Sequence, residues 1–356
     1  MSNSILSSVS SEPRRPPFAL VANRPLLELR NLSTHYVSAQ GTRVVRAVDD
    51  VTLSIDPGKT LGIVGESGSG KSTLALTILR VLPPAARIVS GQMLFEGEDL
   101  VRKSDAEMRQ IRGKRIAMIL QDPMASLNPL FTVGDQIAEM MRVHEGTARA
   151  TAWRRAIDLL KSVRIASPHT RVTQHPHEMS GGMRQRIVGA IGISCEPRLL
   201  IADEPTTSLD LTIQAQYLNL LRDLQREHGL GLIFITHNLG IVAKMCDQLA
   251  VMYAGRVVES GPVSRIFNAP AHPYTAALLN SIPRMGANRQ RLTAIDGQPP
   301  NLASLPGGCA FAPRCPQAFD RCRMEAPPSI ALGDGQTARC WLAPAMAGTA
   351  TRTGVQ

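Results

Sequence analysis

The residues Gly65-Glu66-Ser67-Gly68-Ser69-Gly70-Lys71-Ser72 fit G-x-x-x-x-G-K-[ST], a spacing suited to holding phosphates. Gly65, Gly68 and Gly70 let the backbone turn tightly and bring N–H groups close to an anion. Lys71 adds a point charge for β- and γ-phosphates, and Ser72 offers a hydroxyl to Mg2+. Asp203-Glu204 ends an apolar run, where two adjacent acids are costly to bury without a cation or a proton role. Asp203 can hold Mg2+ through water, and Glu204 can polarise an attacking water. Ser180-Gly181-Gly182 precedes an apolar helix and forms a second potential anion site. Gln121 and His237 each follow an apolar run, and Tyr36 lies upstream as a possible stacking surface for a base. Taken singly, these residues read as a turn, a helix cap or packing. Taken together, they describe hydrolysis of a nucleoside triphosphate.

The elements that must position them follow from apolar periodicity. Residues 60–64 form a short buried strand, and residues 73–82 a helix stopped by Pro83-Pro84. Strand, glycine loop and helix N-terminus make an anion site. Residues 115–120 form a second strand with Gln121 at its C-terminal end, the zone where open α/β sheets bind ligands. Residues 199–202 and 232–236 form two more, delivering Asp203-Glu204 and His237. A helix is expected over 211–227, a mainly helical insert over 132–195, and a closing hairpin over 249–253 and 256–259. Strand-like segments at 27–36, 44–51, 52–55 and 91–95 surround the phosphate loop. Strands separated by helices imply a largely parallel, doubly wound core.

The chain has 356 residues, formal charge +10 and six cysteines. Its basic balance is compatible with nucleic acid, anionic lipid or nucleotide and does not choose among them; scattered, solvated arginines account for much of it. No run of 18 apolar residues exists, and residues 1–11 lack a signal-peptide pattern, so a cytosolic protein is expected. There, cysteines are free or metal-bound more often than disulfide-paired.

The ordered set of phosphate loop, Gln121, Met179-Ser180-Gly181-Gly182-Met183, Leu200-Ile201-Ala202-Asp203-Glu204-Pro205, Ser208-Leu209-Asp210 and His237 resembles the nucleotide-binding subunit of ATP-binding cassette (ABC) transporters. Met179 and Met183 depart from the family's common Leu-Ser-Gly-Gly-Gln, while the nucleotide-facing Ser180, Gly181 and Gly182 are kept. The resemblance implies an ABC-type α/β phosphate-loop ATPase core with a mostly parallel sheet. It adds an antiparallel β subdomain, a helical subdomain and a small cysteine-containing C-terminal extension. Tyr36 would stack on adenine. Gly65, Ser67, Gly68, Gly70, Lys71, Ser72 and Thr73 would hold the phosphates. Ser72, Gln121 and Asp203 would serve Mg2+, and Gln121 would also sense the γ-phosphate. Glu204 would be the general base, with His237, Gln121 and Lys71 completing the catalytic set. Ser180 and Gly182 would reach the ATP of an opposing subunit, which implies a dimer.

His272-Pro273-Tyr274-Thr275, the cysteine-bearing tail and the segment Asp122-Pro123-Met124-Ala125-Ser126-Leu127-Asn128-Pro129 resemble the dipeptide, oligopeptide and nickel importer branch. That resemblance implies ATP-driven peptide import at the cytoplasmic face of the cell membrane. The partners would be a second, related ATPase, two membrane permeases and an extracytoplasmic binding protein, with no nucleic acid. The expected domains are an arm over 1–25, an ATPase domain over 26–268, the extension over 269–345 and a flexible tail over 346–356. Import of nickel or another solute is the alternative within the branch. A soluble ABC ATPase acting on DNA or ribosomes is the alternative outside it. A regulatory nucleotide sensor would predict loss of Glu204 or His237, and both are present.

Cys309, Cys315, Cys322 and Cys340 follow C-x5-C-x6-C-x17-C in a Pro-rich segment with little apolar periodicity. Such a segment gains most from a metal staple, and four thiolates suit a [4Fe–4S] cluster or, less well without a C-x2-C pair, zinc. Some members of the branch carry an iron–sulfur cluster here. Arg314, Arg321, Arg323 and Arg339 are expected to offset the thiolate charge, and Cys195 and Cys246 to be ordinary packed thiols.

Overall fold

The computed structural model describes residues 24–207, 209–281 and 295–344. Residues 1–23 of the expected arm, Ser208, residues 282–294 within the expected extension and residues 345 onward, with the expected tail, lie outside the described residues. Strands β1 (Leu27–Val37) and β2 (Val44–Ile55) pair antiparallel. β2 is one strand where two were expected, and Asp50, at φ 54°, marks its irregularity without breaking it. β3 (Thr60–Val64) is buried along its whole length and runs into the glycine loop. Helix α1 (Lys71–Leu79) begins directly after Gly70. It ends earlier than Pro83 requires, because Arg80 turns left-handed and donates its N–H back to the carbonyls of Leu76 and Thr77. β4 (Ala86–Phe95) and β5 (Glu98–Asp99) complete a four-stranded antiparallel sheet ordered β2-β1-β4-β5.

Helix α2 (Asp105–Ile111), held by a Ser104–Glu107 capping box, leads to β6 (Ile116–Ile119). Leu120 is 43% exposed and lies outside the strand, so Gln121 sits two residues beyond its end. The helical region contains α3 (Pro123–Ser126), α4 (Val133–Glu145), α5 (Arg149–Ser162), α6 (Pro168–Arg171) and α7 (Gly181–Ile193). Ile137, Ala138 and Met141 on α4 meet Ala152, Ala156 and Leu160 on α5 and Ile187 and Val188 on α7 in one core. β7 (Leu199–Asp203), α8 (Leu211–His228), β8 (Gly231–Ile235), α9 (Leu239–Met245), β9 (Gln248–Tyr253) and β10 (Arg256–Pro262) follow.

The second sheet has a parallel heart ordered β9-β3-β8-β7-β6. Strands β3, β7 and β8 are buried on both faces, which is why they read as continuous apolar runs. One face meets the antiparallel sheet and α1. The other meets the helical region. Parallel strands share one C-terminal edge, so the loops after β3, β6, β7 and β8 emerge side by side.

After α10 (Val263–Asn268) and α11 (Pro273–Asn280), the extension adds α12 (Asp320–Met324), β11 (Ile330–Ala331) and β12 (Thr337–Ala338). β12 pairs with β10, so the extension continues the main sheet. Buried Glu259 on β10 accepts hydrogen bonds from the N–H groups of Ala271 and His272 and from Gln336. His272 caps α11 by accepting from the Tyr274 N–H at 3.0 Å. Complete burial pushes its imidazole down to about 3. A depressed folded value contributes stability that is present above the usual 6.5 and lost as pH falls toward 3. His272→Asn keeps a capping acceptor and removes this titration; the expected outcome is a shallower loss of unfolding free energy over that pH window.

Candidate nucleotide site

Gly68 and Gly70 take φ of 77° and 104°, conformations in which a side chain is strained. At Gly70 a Cβ would also stand 2.1 Å from the Ala47 carbonyl oxygen. These turns wrap the loop so that Lys71, Ser72 and Thr73 occupy the first turn of α1, where N–H groups lack intrahelical partners. Lys71 is 6% exposed. Its ammonium donates to the carbonyls of Gly65 at 2.8 Å and Glu66 at 3.0 Å. Burial lowers its pKa, opposed by the nearby carboxylates of Glu204, Asp203 and Glu66. The Tyr36 hydroxyl lies 3.4 Å from the Thr73 hydroxyl, which places the β1 aromatic beside the loop.

At the end of β7, Glu204 gathers three side chains. Gln121 donates to its carboxylate at 3.3 Å and Thr207 at 3.0 Å, while His237 Nδ1 approaches the other oxygen at 3.3 Å. Glu204 itself takes φ 46°, a left-handed conformation that costs a non-glycine residue energy and turns its side chain off the strand. Asp203 is 6% exposed, and its Oδ1 is buried without a hydrogen-bond partner. Burial pushes its pKa up, with the Ser72 hydroxyl pulling it down and Glu204 pushing it further up. An orphaned carboxylate oxygen beside a serine hydroxyl fits a hard divalent cation, so Ser72 and Asp203 are residues that could hold Mg2+.

Sequence reading thus located residues that meet: Lys71, Ser72, Gln121, Asp203, Glu204 and His237 share one sheet edge. Ser180 and Gly182 stand apart. Ser180 caps α7 by accepting from Met183 N–H at 3.4 Å, and among the described residues it makes no hydrogen bond to the phosphate loop or to Glu204. A Cβ at Gly182 would meet Ile213 at 2.7 Å.

Four participants were missed. Thr207 supports Glu204. Glu66, Tyr274 and Arg314 form a cluster under the loop: the Glu66 N–H donates to the Tyr274 hydroxyl at 3.0 Å, and Arg314 pairs with both Glu66 oxygens at 2.7 and 3.0 Å. Three of the four arginines assigned to the thiolates are otherwise engaged. Besides Arg314, Arg339 pairs with Asp50 at 2.7 Å. Arg321 pairs with Glu325 at 2.9 Å and stacks on Trp341. Opposite charge close at hand is the stronger pull, and no spacing rule reveals partners more than 200 residues away.

Cys309, Cys315, Cys322 and Cys340 line one small cavity with His272 and Phe311. Among the described residues no group of three or more His, Cys, Asp or Glu side chains forms a site for a single metal ion. The expectation of a metal site in the tail is therefore not supported at that level. Cys195 is buried, and burial pushes the Cys246 thiol up to about 12, consistent with inert packing. No helix among the described residues is long and apolar enough to cross a membrane.

Residues 48–207 match the ABC transporter family, and residues 258–322 match the oligopeptide/dipeptide transporter C-terminal region. A probable peptide ABC transporter ATP-binding protein of Sinorhizobium fredii is 50% identical, across 89% of this chain and 94% of that one. The dipeptide transport ATP-binding protein of Escherichia coli is 47% identical, across 88% and 96%. The oligopeptide transport ATP-binding protein of Haemophilus influenzae is 46% identical, across 89% and 97%. Among solved structures, a dimeric ATP-binding cassette in a post-hydrolysis state with ADP and phosphate superposes with a TM-score of 0.60 at 24% identity, covering 67% of this chain and 98% of the other. That likeness bears on the fold.

The buried, half-partnered carboxylate at Asp203 generates a stability prediction. Asp203→Asn removes a charge that the dry site does not neutralise. Without ligands, its melting temperature is expected to exceed that of the wild type, while the increment conferred by Mg2+ and ATP is lost. Thermal melts with and without Mg2+-ATP check both.

Proposed function

The chain belongs to the ABC transporter family, as an ATPase with the oligopeptide/dipeptide transporter C-terminal region, and we propose that it hydrolyses ATP to power import of peptides across the cytoplasmic membrane. The observation that carries this reading is the gathering of Gln121, Thr207 and His237 around Glu204 beside the phosphate loop. Such a carboxylate accepts a proton from a water aligned on the γ-phosphate, and His237 positions the two. Lys71 and the N–H groups of the loop and α1 stabilise charge on the phosphates, and Tyr36 carries the adenine. Ser72 and Asp203, with Gln121 nearby, would hold Mg2+, which would supply neutralisation of charge on the phosphates.

Ser180 and Gly182 point to a second subunit. Among the described residues Ser180 makes no hydrogen bond to this chain's phosphate loop. The backbone and hydroxyl donors of the two residues suit the ATP of a related ATPase across a dimer interface. Two permeases and an extracytoplasmic binding protein complete the assembly, with this chain held at the membrane as a peripheral subunit. The segment after Gln121 supports the docking: Met124, Leu130 and Phe131 are exposed by 52, 81 and 54%. An apolar patch next to the γ-phosphate sensor suits contact with a permease.

The four-cysteine cavity is the proposed seat of a [4Fe–4S] cluster. Its donor set supports that reading better than a single zinc. Cys309 accepts N–H bonds from Phe311 and Ala312, Cys315 from Gln317 and Cys340 from Leu342, the environment in which thiolates ligate iron. Gly308 allows the close crossing, since a Cβ there would stand 2.3 Å from the Cys322 carbonyl oxygen. Without metal, burial raises the pKa of the Cys309, Cys315 and Cys340 thiols, with Cys340 pushed up to about 11.

Three measurements test these statements. Glu204→Gln is expected to keep ATP binding while turnover falls about 10²–10⁴-fold; full turnover removes Glu204 as the base. Isolation of the chain from mildly solubilised membranes is expected to bring two multi-span permeases and a second ATPase, whereas recovery with ribosomes or nucleic acid overturns the import reading. Iron and sulfide analysis of Cys315→Ser/Cys322→Ser against wild type checks the cluster, and equal metal content refutes it.

A further inference from the structure

The phosphate loop is held from below by the C-terminal extension. Arg314, its side chain 4% exposed, makes a bidentate pair with Glu66, the second residue of the loop. The same guanidinium donates to the carbonyls of Ile295 and Asp296 and reaches the Tyr253 hydroxyl at 3.3 Å. From the other side, the Tyr274 hydroxyl accepts the Glu66 N–H. The Glu66 carbonyl in turn accepts from the Lys71 ammonium at 3.0 Å. Every polar group of Glu66 is therefore committed: carboxylate to Arg314, N–H to Tyr274, carbonyl to Lys71. Its side-chain and N–H partners, Arg314 and Tyr274, come from parts of the chain more than 200 residues downstream.

Arg314 itself is set by the turn that carries the first two tail cysteines. Ala312 N–H donates to the Cys309 carbonyl, Arg314 N–H to the Phe311 carbonyl and Cys315 N–H to the Ala312 carbonyl. Tyr253, Tyr274 and Phe311 pack ring against ring beside it, with centroids 4.6 to 5.3 Å apart. A shift of this turn moves the guanidinium, and through Glu66 it moves the loop and the carbonyls that Lys71 grips.

We propose that Arg314, assisted by Tyr274, is a positioning residue for the phosphate loop, through which the cysteine-bearing extension sets the affinity of the cassette for nucleotide. The proposal rests on the nucleotide reading of the loop. Guanidinium geometry is required, because only a planar fork engages both carboxylate oxygens at once. Arg314 is almost fully buried while the Glu66 side chain is 27% exposed, and loss of the guanidinium leaves the Glu66 carboxylate without its counter-charge beside the loop.

The test is a double-mutant cycle on the purified full-length chain, with trinitrophenyl-ATP in the presence of Mg2+ as the probe and melting temperature measured in parallel. Arg314→Ala and Glu66→Gln are each expected to raise the Kd about five- to tenfold, with the double variant no worse than either alone. Arg314→Lys is expected to recover part of the loss, and Tyr274→Phe to raise the Kd without Arg314 being touched. Arg321→Ala, on the same extension but far from the loop, is the control and is expected to bind as wild type does. Additive effects of Arg314→Ala and Glu66→Gln, or an unchanged Kd in well-folded Arg314→Ala, overturn the proposal. If Arg314→Ala does not fold, Glu66→Gln and Tyr274→Phe decide it: unchanged Kd in both overturns it. A wild-type chain that does not bind the probe overturns the nucleotide reading itself, a distinct result.

Discussion

The structure depends on a charge that the protein buries without neutralising. Asp203 ends a strand buried along its length, and one of its oxygens has no hydrogen-bond partner among the described residues. A lone carboxylate there is a local loss of stability, sustained by the rest of the sheet. Lys71 offsets part of it from across the edge, but that ammonium is also committed to two loop carbonyls. The site is therefore arranged around a deficit of positive charge that Mg2+ would relieve. Glu204, one residue on, escapes the same burial only by turning left-handed, which brings it to Gln121, Thr207 and His237.

Two supports keep this edge in register. The first is the sheet itself: four parallel strands end together, and their loops arrive without long excursions. The second is the cluster of Glu66, Tyr274 and Arg314, which fixes the loop from the side opposite the phosphates. One belongs to the nucleotide fold, the other to the region shared with oligopeptide/dipeptide transporters. The extension and the catalytic edge are thus a single mechanical unit.

The legible part of this molecule was what local physics dictates. β3, β7 and β8 announced themselves because strands buried on both faces must be apolar throughout. The residues at their ends followed from chain order alone, so Lys71, Asp203, Glu204 and His237 could be placed on one edge. Long-range pairing was not legible. Arg314 was read as a counter-charge for neighbouring thiolates, and it reaches back to Glu66 instead. Helix α1 stopped at a left-handed arginine ahead of the prolines that seemed to end it, since a C-cap is a backbone decision that sequence marks weakly outside glycine. The peptide-branch features of the tail were legible as resemblance, not as packing.

The pairing of β12 with β10 carries a consequence for how this chain tolerates shortening. A sheet needs its outer strand shielded, and here β12 of the extension covers β10. Cutting the chain after α10 would uncover the N–H and C=O row of β10 and strip Glu259 of the three donors that keep a buried carboxylate quiet. The resulting edge would present unpaired backbone groups at Glu259 and Ser260, a template for pairing with another copy. The extension thus serves as a guard against self-association as well as a brace.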